Sequence, residues 1–219
     1  MRLSVTGSEG IGLAAARQLT DASVREAKGL LTRLLGPAAD ELGLILQDEV
    51  HAYRQRNLLR ILNATRDRLA AEELEARPVS LRVLLPILDG ASLEDDARLS
   101  AMWAGLLAST AASPDHGEYC HPSFSRILVE LTPREARLLE RVDATPGNEW
   151  FVFRQQVAAA FEVNEGDINR DFGNLERLGL CRIQQPRRAP SAKGTITVSP
   201  FGASFLLAVR GPQPRGFRP

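Results

Sequence analysis

Apolar residues recur along most of this chain in steps of three and four, the spacing that lines one face of an α-helix. From Ser8 to Leu35 the face carries Ile11, Leu13, Ala16 and Leu19, then Leu30, Leu31, Leu34 and Leu35. Gly36-Pro37 interrupts it, and Asp40 and Glu41 follow, negative charges placed for the positive end of a new helix. Leu42, Ile45, Leu46, Val50, Tyr53, Leu58, Leu62 and Leu69 continue the periodicity to about Ala76 without a proline. One helix of that length would measure about 55 Å, so it either breaks or projects as an arm. After Pro78 the spacing predicts a short apolar helix, Leu81 to Leu88, with Pro86 near a kink or in its first turn. Ser92 reads as the N-cap of the next helix, with Glu94, Asp95 and Asp96 in its first turn and Leu99, Met102, Trp103, Leu106 and Leu107 buried. Ser109 to Tyr119 reads as a loop, and a short helix follows from His121 to about Leu131.

The last third has sharper punctuation. Thr132-Pro133-Arg134-Glu135 is a capping box with proline in the first turn, opening a helix that buries Ala136, Leu138, Leu139 and Val142. Trp150 to Phe153 reads as a short strand, and Arg154 to Phe161 as a helix. Asn164 caps a further helix whose apolar positions are Ile168, Phe172, Leu175 and Leu178, with Gly179 as its C-terminal stop. Strands at Leu180 to Gln184 and Thr195 to Ser199 flank a loop, and a last helix runs from Phe201 to Val209. Helix, strand, helix, helix, hairpin, helix is the order of a winged helix. The pattern therefore predicts a mainly α chain: a helical domain over 1–131 that includes a long amphipathic helix, a winged-helix domain over 132–210 with a small β-hairpin wing, and a disordered tail over 211–219.

Composition adds limits. The 27 basic residues balance 27 acidic ones, so no global charge argues for nucleic acid or an anionic membrane. Two cysteines, Cys120 and Cys181, do not make a disulfide framework. No secretory leader is visible, and Leu99 to Pro114, the longest uncharged run near the middle, is too short to span a bilayer. A cytoplasmic setting without membrane contact is expected.

Candidate chemistry is sparse. Val5 to Gly12 imitates the glycine loop of short-chain dehydrogenases, but it has two residues between its first glycines instead of three. No βαβ pattern follows, and neither Tyr53 nor Tyr119 has a lysine four residues on. His116, Cys120 and His121 are three crowded metal-ligand types without the separated pairs that zinc sites use. No metal, cofactor or nucleophile–base pairing is therefore assigned, and a site assembled from Glu94, Asp95, Asp96 and His121, as in a nuclease, is the weakest reading.

Two basic features invite a binding role. Arg54, Arg56 and Arg60 make the middle of the long helix basic, a candidate protein-contact surface. In the winged helix, Asn169, Arg170, Asn174 and Arg177 could face a DNA groove, with Arg182, Arg187, Arg188 and Lys193 on the wing. Glu165, Asp167, Asp171 and Glu176 outnumber Arg170 and Arg177 on that helix, which disfavours phosphate contact.

GPAADELG (Gly36 to Gly43), HAYRQRNLLRIL, ASLEDDARLSAMWAGLLA (Ala91 to Ala108), HPSFSRILVELTPREARLL and NLERLGL together resemble the bacterial Abi-alpha family, named for abortive infection, from about residue 30 to residue 205. SLEDD followed by MWAGLLA and HPSF is the most specific part. The resemblance implies a role in phage resistance and supplies no catalytic residue. The expectation is an antiphage defence protein that is not an enzyme and acts through a host or phage protein, with self-association also compatible. The alternative is a winged-helix DNA-binding transcriptional regulator.

Overall fold

The computed structural model describes residues 25–27, 29–30, 33–34, 49–112, 120–145, 148–184 and 194–212. Among these the chain is mainly helical. Residues 25–27, 29–30 and 33–34 are helical, and Ala27, Leu30 and Leu34 are buried at the predicted three-to-four spacing. Then come α1 (Glu49–Ala71), α2 (Leu81–Leu93), α3 (Ala97–Ala112), α4 (Ser123–Glu130) and α5 (Pro133–Ala144). A two-residue strand β1 (Asn148–Glu149) leads into α6 (Trp150–Phe161) and α7 (Glu165–Arg177). The chain ends in β2 (Cys181–Gln184), β3 (Thr195–Val198) and α8 (Pro200–Arg210).

The long amphipathic helix is resolved as α1, roughly 35 Å at 1.5 Å per residue, and it is no free arm. Its face of Ile61, Leu62, Thr65 and Leu69 is buried, and it packs on both α2 and α3. The residues before Glu49, from which the sequence pattern would extend this helix, lie outside the described residues. So do the glycine-rich stretch Val5 to Gly12, the loop residue His116 and the end of the tail, residues 213–219.

Helix α3 is the centre of the molecule. Twelve of its sixteen residues are buried, because α1, α2, α4, α5 and α8 all pack against it. Small residues make this crowding feasible. A Cβ at Gly105 would lie 2.6 Å from the carbonyl carbon of Val209 on α8, so only glycine allows that approach. The same contact carries a hydrogen bond from the Ser109 hydroxyl to the Ala208 carbonyl, 2.8 Å. One continuous apolar core runs from Ala27 to Val209, through the loop at residues 131–132 where the sequence pattern divides the chain.

Three local readings need correction. The helix expected over Leu81 to Leu88 continues to Leu93, with Pro86 in its interior. The carbonyl that the proline's missing N–H leaves unpaired belongs to exposed Arg82, where water can serve it. Ser92 accordingly lies in the last turn of α2 and caps nothing; Asp96 caps α3, its Oδ1 accepting from the backbone of Arg98 (2.9 Å) and Leu99 (3.0 Å). Trp150 to Phe153 is the first turn of α6 and no strand. Trp150 and Phe153 both pack edge-on against Phe172, with centroids 4.9 and 6.0 Å apart, and a separation of three puts both on one face only in a helix.

The expected caps at Thr132 and Asn164 both form, and Ser199, read as the end of a strand, caps the last helix instead. Gly179 takes φ 74° beyond α7, the left-handed stop that glycine adopts without strain. In the sheet, β3 is central, antiparallel to both neighbours, with Ile183 opposite Ile196 on one side and Asn148 opposite Ile196 on the other.

Candidate functional site

Helix α7 carries the residues expected to read DNA, and two of its polar side chains, Asp171 and Asn174, bond inward to α5. Ile168, Phe172 and Leu175 bury one face. Asp171 is buried beside them and receives a two-pronged hydrogen bond from Arg134 of α5, Nε at 2.5 Å and Nη2 at 2.8 Å. That bond raises the Arg134 guanidinium above its ordinary pKa, because the neighbouring carboxylate favours the charged form. Asn174 donates to Glu135 (2.8 Å), the same buried carboxylate that closes the Thr132 capping box. Arg177 reaches Glu130 of α4 at 2.6 Å and also donates to the Asn174 side-chain oxygen. The helix is thus tied to α4 and α5 by a polar network.

Of the other residues proposed to meet DNA, Asn169 is exposed and accepts from Arg154 at 3.3 Å, while Arg170 is exposed and pairs with Asp167 at 3.2 Å. Arg182 is exposed on β2. Arg187, Arg188 and Lys193 of the wing lie outside the described residues. The structure therefore ties Asn174 and the exposed Arg177 to the α4–α5 side, while Asn169 and Arg170 are exposed and bonded to Arg154 and Asp167 of the same pair of helices, α6 and α7.

The three arginines of α1 differ from one another. Arg54 pairs with Asp89 and donates to the Ser92 hydroxyl at 2.8 Å, joining α1 to the end of α2. Arg60 donates to the Glu94 carbonyl (2.9 Å) and the Ser100 hydroxyl (2.8 Å). Arg56 is exposed, and its recorded bond is to Ala52 within its own helix, 3.3 Å.

Glu94, Asp95 and Asp96 occupy the turn between α2 and α3. Burial together with the negative charges of Asp96 and Asp95 pushes the Glu94 carboxyl above its usual range, opposed in part by backbone hydrogen bonds. Cys120 sits at the other end of α3, its sulfur 2.9 Å from the Thr110 hydroxyl, and burial raises its thiol pKa. Thr110 is fourteen residues beyond Asp96, about 20 Å along the helix, so the acidic turn and His121 do not share a site. His121 instead bonds Ser123 and packs against the rings of Phe124 and Phe201. Among the described residues no group of three or more His, Cys, Asp or Glu side chains is arranged to hold a metal ion. No described helix is long and apolar enough to cross a membrane.

One surface escaped sequence reading. Leu81, Leu85 and Leu93 are exposed on the outer face of α2, Leu93 by 57%, and Val129 of α4 is exposed by 67%. A Cβ at Gly90 would touch Val129 at 3.1 Å, so Val129 stands against α2 near its C-terminal end. The signal was present in the sequence: Leu81 to Leu88 is apolar all round apart from Arg82, which implies contact on more than one side.

No curated protein and no solved structure matches the chain. The sequence profile described as Abortive infection alpha matches residues 53–209, beginning on α1 and ending on α8. That stretch is well over half of the chain and leaves out GPAADELG (Gly36 to Gly43), so the resemblance read from the sequence reaches further back than the matched region. On this match, the chain belongs to the Abortive infection alpha family.

Proposed function

We propose that the protein acts in abortive infection without chemistry of its own, by contacting another protein through the outer face of α2. The observation that carries this reading is the exposed row Leu81, Leu85 and Leu93 with Val129 beside it. Exposed apolar surface gains about 25 cal/mol for each Å² a partner covers, and the exposed Asp89 between Leu85 and Leu93, paired with Arg54, gives the row a polar point. Arg56, exposed on α1, is a candidate charged neighbour of that contact.

We further read α5 to α8 as a winged helix, supported by the order of its elements and by the central position of β3 between β1 and β2. Its third helix, α7, has Asn174 and Arg177 bonded to Glu135 and Glu130, which favours a structural or protein-contact use over DNA reading. Exposed Arg182 and the wing residues Arg187, Arg188 and Lys193 are what the DNA-binding alternative rests on.

The test compares cells expressing the full chain with cells expressing a Leu85→Glu, Leu93→Glu variant under phage challenge. Loss of protection with an unchanged Tm of the purified variant is the expected result. Retained protection refutes the reading. So does a Tm lowered by the substitutions, because it places the chain's own residues against that face. Binding of the wild-type chain to duplex DNA that weakens steeply with salt, and equally for all sequences when Arg187 and Arg188 become glutamine, would favour the regulator instead.

A further inference from the structure

Between α3, α5 and α8 lies a cleft of about 760 Å³, within the range that small-molecule sites occupy. Four arginines line it, Arg68, Arg98, Arg137 and Arg210, against two acids, Asp96 and Glu140. The lining thus carries an excess of two positive charges, and the acids present are already engaged. Asp96 caps α3, and Glu140 pairs with Arg98. Arg210 is held by Asp143 at 2.6 Å.

Arg68 and Arg137 are left over. Among the described residues neither has a carboxylate partner. Arg68 reaches in from α1 past the backbone of Gly105 and gives one bond, to the Arg210 carbonyl at 3.1 Å. A guanidinium has five N–H donors, so most of its capacity is unused. It is also half-buried, and that burial lowers its pKa, the opposite of what a paired arginine shows. Arg137 lies over the Phe161 ring at 4.9 Å, a contact that orients the guanidinium without neutralising it. The floor consists of buried apolar side chains, Met102, Leu206 and Val209, and so offers no competing acceptor. A half-buried cation without a counter-ion is unfavourable unless something supplies the anion.

We propose that this cleft binds a small phosphate-bearing molecule, with Arg68 and Arg137 as the two guanidinium forks that receive its phosphate oxygens. Two guanidinium groups without a carboxylate partner among the described residues match a dianionic group in charge, and the fork shape of each suits phosphate oxygens, whereas a single carboxylate would neutralise one of them. The site is independent of the α2 face and of the reading of α7.

The probe is inorganic pyrophosphate, added to the full chain and compared with sodium chloride at equal ionic strength. Pyrophosphate is expected to raise the Tm, and calorimetric titration below the Tm to give saturable binding. Arg137→Gln, at an exposed position, should fold normally and bind about tenfold more weakly or worse, the loss expected for a charge-assisted hydrogen bond. Arg68→Gln should weaken binding at least as much. Arg182→Gln, on the sheet, should bind as the wild type does. The proposal is overturned if pyrophosphate does no more than chloride, if Arg137→Gln binds within about twofold of wild type, or if Arg182→Gln loses as much affinity as Arg137→Gln.

Discussion

The same substitution, glycine to alanine in a helix, should have opposite effects at two places in this molecule. In an exposed helix interior alanine is favoured over glycine by about 1 kcal/mol, because glycine loses more backbone freedom on folding. Gly173 on α7 has nothing within 4 Å of where a Cβ would stand. Gly173→Ala should therefore stabilise the chain by about 0.5–1 kcal/mol, raising the Tm by roughly 2–4 °C. Gly105 on α3 has the backbone of α8 above it. A Cβ there would come within 2.6 Å of the Val209 carbonyl carbon and nearer still to its oxygen, against an ordinary contact of 3.4 Å or more. Helix α8 must then withdraw by roughly 1 Å, and a backbone atom cannot swing aside as a side chain can. The withdrawal strains the Ser109–Ala208 and Arg68–Arg210 hydrogen bonds and loosens Phe205 and Val209 in the core. Overpacking costs about 1–3 kcal/mol and each weakened bond about 1 kcal/mol, against the 1 kcal/mol gained in helix propensity. The net is a loss of about 2–4 kcal/mol, or roughly 4–16 °C in Tm. Thermal melts followed by circular dichroism on the two variants decide it. If Gly105→Ala melts at or above the wild type, the close α3–α8 approach is wrong.

Two further outcomes follow from buried groups. Replacing Arg134 by methionine leaves the Asp171 carboxylate buried, its side chain only 8% exposed, without its partner; a loss of about 3 kcal/mol is expected, with much of it regained in Arg134→Met, Asp171→Leu, as urea denaturation would measure. Cys181 is the pH-sensitive case, because burial, aided by the charge of Glu176, pushes its thiol pKa up to about 12 from an ordinary value near 9. Its native state holds the proton while the unfolded chain gives it up, so stability is intact below pH 9 and falls as pH rises from there towards 12. The slope is up to about 1.4 kcal/mol per pH unit. Urea midpoints at pH 8 and pH 10 should diverge less in Cys181→Ala than in the wild type, and equal divergence would remove the buried-thiol explanation.

Where the sequence was legible, a local rule and the tertiary fold agreed. The caps at Thr132 and Asn164 need only a side-chain oxygen and the next turn's N–H groups, so nothing distant could override them. The misreadings were decided at a distance. Ser92 has the look of an N-cap, but its hydroxyl meets Arg54, thirty-eight residues away, while Asp96 does the capping. Trp150 to Phe153 has strand-forming residues, yet Phe172 supplies the surface that selects a helix. The charge count on α7 was right as arithmetic and incomplete as electrostatics, because Asp171 faces Arg134 inside the fold. The all-round apolar run Leu81 to Leu88 signalled the leucine face of α2, but the arginine cleft gathers residues from distant elements and has no pattern in the sequence.

The two ends of the family match explain each other physically. The match opens at Tyr53 on α1 and closes at Val209 on α8, far apart in sequence on helices that both lie against α3. Arg68 spans them directly, from α1 to the carbonyl of Arg210, crossing α3 where Gly105 leaves room. A helix such as α3, with twelve buried residues, cannot be satisfied by the elements that adjoin it in sequence; it needs α8 from the far end of the chain. Whatever the topology of α5 to α8, their packing makes α8 as much a part of the N-terminal helices as of the β2–β3 pair. Any ligand held between α3, α5 and α8 would bear on both, and α3 also carries Trp103, the ring that fills the space above Gly90 on α2. The cleft and the apolar face of α2 are thus opposite sides of the packing around one buried helix.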